Sequence, residues 1–102
     1  MSENCLVLTG AVVKTAQVSI SPAGIAHCKF SLEHRSIQNE DGMNRQTFAR
    51  MQVVATGQWS QNLSRELIAG CNVKVSGFIN RHETRTGNPI LVLHAQKIEM
   101  IN

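Results

Sequence analysis

Residues 21–36 read Ser-Pro-Ala-Gly-Ile-Ala-His-Cys-Lys-Phe-Ser-Leu-Glu-His-Arg-Ser, and they predict a turn followed by the central strand of the fold. The turn is favoured because Pro22 fixes its own φ at about −65° and Gly24 tolerates positive φ. From Cys28 to Arg35 the side chains then alternate between apolar and polar, which is typical of a strand with one buried face. The other strands are therefore expected to pack against this one.

The two faces of the 28–35 strand have different chemistry. The inward face carries Cys28, Phe30, Leu32 and His34, and the outward face carries Lys29, Ser31, Glu33 and Arg35. Lys29 and Arg35 are separated by about 20 Å, the rise of six extended residues. That spacing suits an extended polyanion better than a small ligand. His34 falls on the inward face and is interpreted as a hydrogen-bonded core histidine rather than a catalytic base.

This stretch resembles the family of the bacterial primosomal replication protein N (PriB). The resemblance rests on Ser21-Pro22, Gly24, His27-Cys28, Phe30 and the block Leu32-Glu33-His34-Arg35-Ser36, and it continues through Val75-Ser76-Gly77-Phe78-Ile79 and Val92-Leu93-His94-Ala95. It thus covers essentially the whole chain. It implies an OB-fold homodimer, related to the single-stranded DNA-binding protein SSB, that binds single-stranded DNA during replication restart. The implied protein partners are the PriA helicase, DnaT and SSB.

Size and composition predict one globular domain, residues 1–102, with a single core. The hydrophobic share of 42% and the charged share of 17% are far from a disordered composition. The net charge of +3 is mildly basic and indicates a nucleic-acid partner only if the cations cluster. No signal peptide or membrane-length apolar stretch is recognisable, so a cytoplasmic protein with no membrane partner is expected.

The alternation of apolar and polar residues predicts an all-β fold of five strands with one short helix between the third and fourth. The predicted strands are residues 5–18, 28–35, 47–55, 72–81 and 90–99, and the predicted helix is 58–67. This order lacks the strand–helix alternation of a parallel sheet and fits a five-stranded OB-fold barrel. Residues 37–46 are predicted to form a polar loop turned at Asp41-Gly42, and residues 81–89 a long basic hairpin turned at Thr86-Gly87.

The first predicted strand is apolar on both faces, with Leu6 and Leu8 on one side and Val7 and Val13 on the other. A strand buried on two sides of so small a protein suggests a second sheet layer or a partner chain. Together with the resemblance, this predicts an SSB-like homodimer joined through the first strand. Gly10 in mid-strand predicts a bulge or a sharp bend.

The predicted helix carries an apolar stripe. Trp59, Leu63 and Leu67 recur at four-residue intervals, so Trp59 is predicted to fill the core rather than to serve as a platform for a base. In the third strand, by contrast, Phe48 and Arg50 are predicted to point outward. Phe48 would then stack on bases, or it would pack beneath the neighbouring loop as a satellite of the core, and the pattern leaves both open.

The sequence offers no convergent set of catalytic or metal-binding residues. His27 and Cys28 are adjacent on a strand and point to opposite faces. Cys5 and Cys71 are distant from both, and three cysteines without short spacing argue against disulfides and metal sites. All three are predicted to be small buried hydrophobes. We therefore expect a binding protein that is not an enzyme and needs no metal or cofactor.

The cations are predicted to lie on outer faces and loops, where an OB-fold holds a single strand across its second and third strands. The candidate DNA-binding residues are Lys14, Arg35, Arg45, Phe48, Arg50, Arg81 and Arg85.

The resemblance also implies DNA contacts at positions where this chain departs from the family. Met43 replaces an aromatic residue, and Glu83 and Ile90 replace lysines, so fewer counterions would be released and a modest affinity is expected. An RNA-binding OB module and a protein-interaction dimer remain the alternatives.

Overall fold

Six strands form one sheet in the computed structural model, which describes residues 2–101. In chain order they are β1 (Leu6–Val12), β2 (Gln17–Ile20), β3 (Ala26–Glu40), β4 (Met43–Thr56), β5 (Asn72–Glu83) and β6 (Pro89–Ile101). The order across the sheet is β1-β5-β6-β4-β3-β2, and a further pairing of β1 with β3 closes a ring of five strands. This ring confirms the predicted OB-fold barrel.

The barrel closes where β1 crosses β3, at Gly10. A Cβ atom at Gly10 would overlap the main-chain oxygen of Glu33, so only glycine fits this crossing. The pairing of β1 with β5 runs without interruption through Gly10, opposite Val73. Of the predicted bulge or sharp bend, the bulge is therefore absent from this pairing, and the close approach of β1 to β3 requires the glycine. The bulge lies in the pairing of β5 with β6, between Ser76 and Gly77.

The core is built from the inward faces of the strands. Its most buried side chains are Val12, Cys28, Leu32, Val53, Ala55, Leu67, Val73, Val75 and Leu93. His34 is half-buried, and its two ring nitrogens lie 2.7 Å from the Thr9 main-chain oxygen and 2.7 Å from the Ser36 hydroxyl. The prediction of a hydrogen-bonded histidine is confirmed. Cys5, however, is exposed, which corrects its assignment as a buried hydrophobe.

The first predicted strand, residues 5–18, is two strands. β1 ends at Val12, and the chain then turns, with the Ala16 amide donating to the Leu67 main-chain oxygen at 2.9 Å. β2 pairs instead with the far edge of β3, from Gln17 opposite Lys29 to Ile20. A barrel corner therefore interrupts what the apolar pattern presents as one continuous strand.

The helical segment between β4 and β5 has the predicted position but a different form. It consists of two 3₁₀ turns, Gln58–Ser60 and Leu63–Arg65, in place of one helix over residues 58–67. Leu67 is fully buried, whereas Trp59 is 41% exposed, so the prediction that Trp59 fills the core is wrong. No helix in the described part of the chain is long and apolar enough to cross a membrane.

Two hairpins extend β3–β4 and β5–β6 beyond the barrel. The first arm, residues 37–46, was predicted as a loop, but its two strands stay paired as far as Glu40 opposite Met43. Asp41 and Gly42 form its turn with φ of 51° and 78°, the pair of positive values that a tight hairpin turn needs. The second arm, residues 80–91, stays paired as far as Glu83 opposite Pro89. The predicted hairpin over 81–89 is thus a strand pair with a shorter turn at its tip.

Candidate nucleic-acid interface

The outward faces of β3 and β4 bring three of the predicted site residues side by side. The antiparallel register places Arg35 opposite Phe48 and Glu33 opposite Arg50. Side chains directly opposite each other in such a pair lie on the same face and within contact distance. The outward face predicted for Arg35, Phe48 and Arg50 is therefore one continuous row across two strands.

Phe48 is an exposed aromatic platform rather than a satellite of the core. Its side chain is 56% exposed, and the guanidinium carbon of Arg35 lies 4.6 Å from its ring centroid. This distance is within the range of a cation–π contact. An open concavity of about 420 Å³ beside the pair is lined by Arg35, Ser36, Ile37, Gln46, Thr47 and Phe48. A flat ring, a planar cation and an open concavity together suit a stacked base and its phosphate.

Glu33 is ion-paired with both arginines of this row. One carboxylate oxygen accepts a hydrogen bond from Arg50 Nη2 at 2.7 Å, and the other lies 3.6 Å from Arg35 Nη2. The hydrogen bond from Arg50, with smaller contributions from the charges of both arginines, lowers the pKa of Glu33 below its ordinary value. Glu33 is therefore ionised at neutral pH, and a phosphate at this row must compete with it.

The remaining predicted cations lie around this row. Lys14 and Lys29 line a concavity of about 230 Å³ together with Gln52. On the first arm, Arg45 Nε lies 3.4 Å from a carboxylate oxygen of Glu40. On the second arm, Arg81 lies 3.9 Å from a carboxylate oxygen of Glu83, and Arg85 is exposed in the turn of that arm. These side chains flank the row rather than joining it.

A second aromatic group lies on the outer surface and was not predicted from the sequence. The rings of Phe78 and His94 are parallel, with centroids 5.0 Å apart and 1° between their planes. His94 Nε2 lies 2.9 Å from His82 Nε2, so one of the two donates and the other accepts. Burial, and secondarily the charge of His82, lowers the pKa of His94. In the sequence, Phe78 and His94 alternate with the inward residues of their strands, and this alternation could have indicated that both rings lie on the outer surface.

The fold and this face define an OB-fold protein with an open, cationic and aromatic surface, the type of surface that holds single-stranded nucleic acid. Residues 4–97 match the model of a family described as another single-strand binding protein family. Replication restart protein PriB of Yersinia pseudotuberculosis serotype O:1b (strain IP 31758) is 50% identical over 102 residues, which cover 100% of this chain and 97% of that protein. The chain belongs to the PriB family of single-strand binding proteins.

Solved structures agree on the fold. PriB from Ralstonia solanacearum superposes with a TM-score of 0.81 at 19% identity, over 99% of this chain and 100% of that one. An SSB of Plasmodium falciparum, solved in complex with single-stranded DNA, gives a TM-score of 0.80 at 18% identity, over 100% of this chain and 97% of that one. At these identities the likeness supports the OB-fold alone.

Proposed function

We propose that this protein is a single-stranded DNA-binding accessory protein of replication restart, acting as a homodimer in the bacterial cytoplasm without catalytic activity of its own. The observation that carries the proposal is Arg35 stacked on the exposed ring of Phe48, beside Arg50, on the face that OB-folds use for single strands. Lys14 and Arg85 supply further positive charge near this row, and Arg45 and Arg81 can do so when phosphate displaces Glu40 and Glu83 from them. PriA, DnaT and SSB are the protein partners that the resemblance to the PriB family implies.

The proposal is tested by titrating the protein with a labelled single-stranded oligonucleotide at several salt concentrations. We expect the logarithm of the affinity to fall linearly with the logarithm of the salt concentration, by about 0.7 for each phosphate contacted. A matched RNA oligonucleotide in the same assay separates DNA binding from an RNA-binding module. Absence of salt-sensitive binding at low ionic strength would instead favour a protein-interaction dimer.

Replacing Glu33 by glutamine is expected to tighten oligonucleotide binding and to steepen its salt dependence. The amide keeps the shape of the side chain but removes the charge that competes with phosphate for Arg35 and Arg50. Each arginine that binds a phosphate as a result should add about 0.7 to the slope. The measurement is the same titration, run with both proteins at each salt concentration.

The matched control is Glu99→Gln. Glu99 is also ion-paired, to Lys97 at 2.9 Å on β6, so its replacement changes the net charge by the same amount away from the proposed face. Equal tightening by both variants would mean that net charge alone matters. Weaker binding by Glu33→Gln would mean that the carboxylate helps to position the two arginines.

A further inference from the structure

Trp59 forms one wall of a concavity separate from the Arg35–Phe48 pair. The concavity has a volume of about 330 Å³, and Phe78 and His94 also line it. The Trp59 indole Nε1 donates a hydrogen bond to the Thr56 main-chain oxygen at 2.9 Å, which restrains the ring although it is 41% exposed. A restrained aromatic ring loses less conformational freedom when a ligand stacks on it.

This concavity is linked to the cationic face through neighbouring concavities that have lining residues in common. A neighbouring concavity of about 210 Å³ reaches His82 on the second arm. It has Lys29 and Gln52 in common with the concavity that Lys14 lines, and Val54 in common with the concavity at Trp59. The shared lining residues mark a path over the outer surface, from Lys14 past the second arm to Trp59.

We propose that the Trp59 concavity is a second nucleobase subsite, in which the indole stacks on a base of the same strand that contacts Phe48. The inference rests on the single-strand binding proposed above and adds the path that the strand takes. Phe48 and Val54 are six residues apart on β4, a distance of about 20 Å. A single strand of DNA that spans this distance needs no more than the roughly 4–16 nucleotides that one OB-fold binds.

The chemistry of the walls favours a base over a phosphate. Burial and the neighbouring His82 lower the pKa of His94, so the stacked pair of Phe78 and His94 presents a neutral aromatic surface at pH 7. Gln96 and Thr56 supply polar groups at the rim. Stacking tolerates every base because each has a π face, so a subsite of this kind binds without sequence preference.

The experiment uses the intrinsic fluorescence of Trp59, because it is the only tryptophan in the chain. Oligothymidylates of increasing length, from roughly 4 to roughly 16 nucleotides, are added to the full-length protein, and binding is followed independently by the anisotropy of a labelled oligonucleotide. We expect the short ones to bind without changing the fluorescence and the longer ones to quench it. The length at which quenching begins measures the path from Phe48 to Trp59.

Variants separate stacking from folding. Trp59→Ala should weaken binding of the longer oligonucleotides about 5- to 140-fold, the equivalent of about 1–3 kcal/mol per stacked base. It should leave the short ones and the salt slope unchanged. Trp59→Phe, which keeps a ring, should retain most of the affinity. Ile68→Ala is the control, because Ile68 is an exposed apolar side chain that lines neither concavity.

The outcomes distinguish this subsite from the proposed function. Bound long oligonucleotide with unchanged Trp59 fluorescence, or unchanged affinity in Trp59→Ala, would overturn the subsite and leave single-strand binding at Phe48 intact. Failure of every oligonucleotide to bind the unaltered protein at low salt would overturn both. Quenching that depends on length, together with a length-dependent loss of affinity in Trp59→Ala, would establish the subsite.

Discussion

Replacing Phe48 by alanine is expected to weaken oligonucleotide binding about 5- to 140-fold while leaving the stability of the fold almost unchanged. Stacking of one base on an aromatic side chain contributes about 1–3 kcal/mol, and each 1.4 kcal/mol or so is a factor of ten in affinity. Phe48 is 56% exposed, so its truncation leaves no cavity in the core. Oligonucleotide titration measures the first effect, and thermal unfolding measures the second.

The salt dependence assigns the weaker binding to stacking rather than to charge. Phe48→Ala should leave the slope of log affinity against log salt unchanged, whereas Arg35→Ala should reduce it by about 0.7 for each phosphate that the protein no longer binds. Ile37→Ala is the matched control, because Ile37 is an exposed apolar neighbour in the same concavity but has no ring. Normal binding by Phe48→Ala together with a lowered melting temperature would contradict the assignment of Phe48 to the interface.

The barrel could be predicted from the sequence because a strand with one buried face alternates apolar and polar residues. Where a strand has one face in the core, as in Cys28, Phe30 and Leu32, the apolar residues alternate and fix both the element and its register. That register placed Phe48 and Arg50 outward, and the structure confirms it. The inward residues therefore also identify the surface residues, because the neighbours of each inward residue in a strand point outward.

The first arm shows where that signal ends. Beyond Ser36 the two strands of the arm face solvent on both sides, so Gln38 and Asn39 need no apolar alternation while the strands stay paired through their main chains. The only sequence signal for this hairpin was Asp41-Gly42, which predicts a tight turn without predicting how far the flanking strands run. The same reasoning applies to Leu91, an apolar residue of the predicted 90–99 strand that is exposed on the second arm.

Trp59 was misassigned for a different reason. A four-residue spacing indicates a buried stripe only if the segment is a continuous α-helix. Here the segment is two short 3₁₀ turns, which do not maintain that period, and Leu63 and Leu67 contact the core without Trp59. A ring with an apolar body and a hydrogen-bonded indole nitrogen is equally suited to a surface subsite.

The edge of β1 carries main-chain groups that a second copy of the chain would pair. The Thr9 oxygen lies 2.7 Å from a His34 ring nitrogen, and directly after β1 the Val13 amide donates to the Ser31 oxygen at 3.0 Å. The odd-numbered residues along this stretch therefore direct their main-chain groups toward β3. Yet within residues 2–101 the β1–β3 pairing includes only Ala11 and Val12 of β1. The main-chain groups of Val7 therefore lie on an edge without a neighbouring strand, and its side chain is exposed.

Replacing Val7 by proline should consequently convert the proposed homodimer into a monomer. Proline removes the amide donor at this edge and places its ring where the partner strand would lie, while Leu6 and Leu8 keep their pairing with β5. Light scattering should report half the mass of the unaltered protein. Val7→Thr, which keeps the amide and suits a strand, is the matched control and should remain dimeric.

Loss of the dimer should also weaken binding of any oligonucleotide long enough to reach both subunits, by about 10²-fold or more, because the second subunit no longer binds at a high effective concentration. A short oligonucleotide confined to one subunit should bind Val7→Pro and the unaltered protein equally. Equal affinity for the long oligonucleotide, in a variant that light scattering shows to be monomeric and circular dichroism shows to be folded, would mean that one barrel with its two arms carries the entire site. An unaltered protein that is itself monomeric would contradict pairing through β1 and would leave the row of Arg35 and Phe48 to act alone.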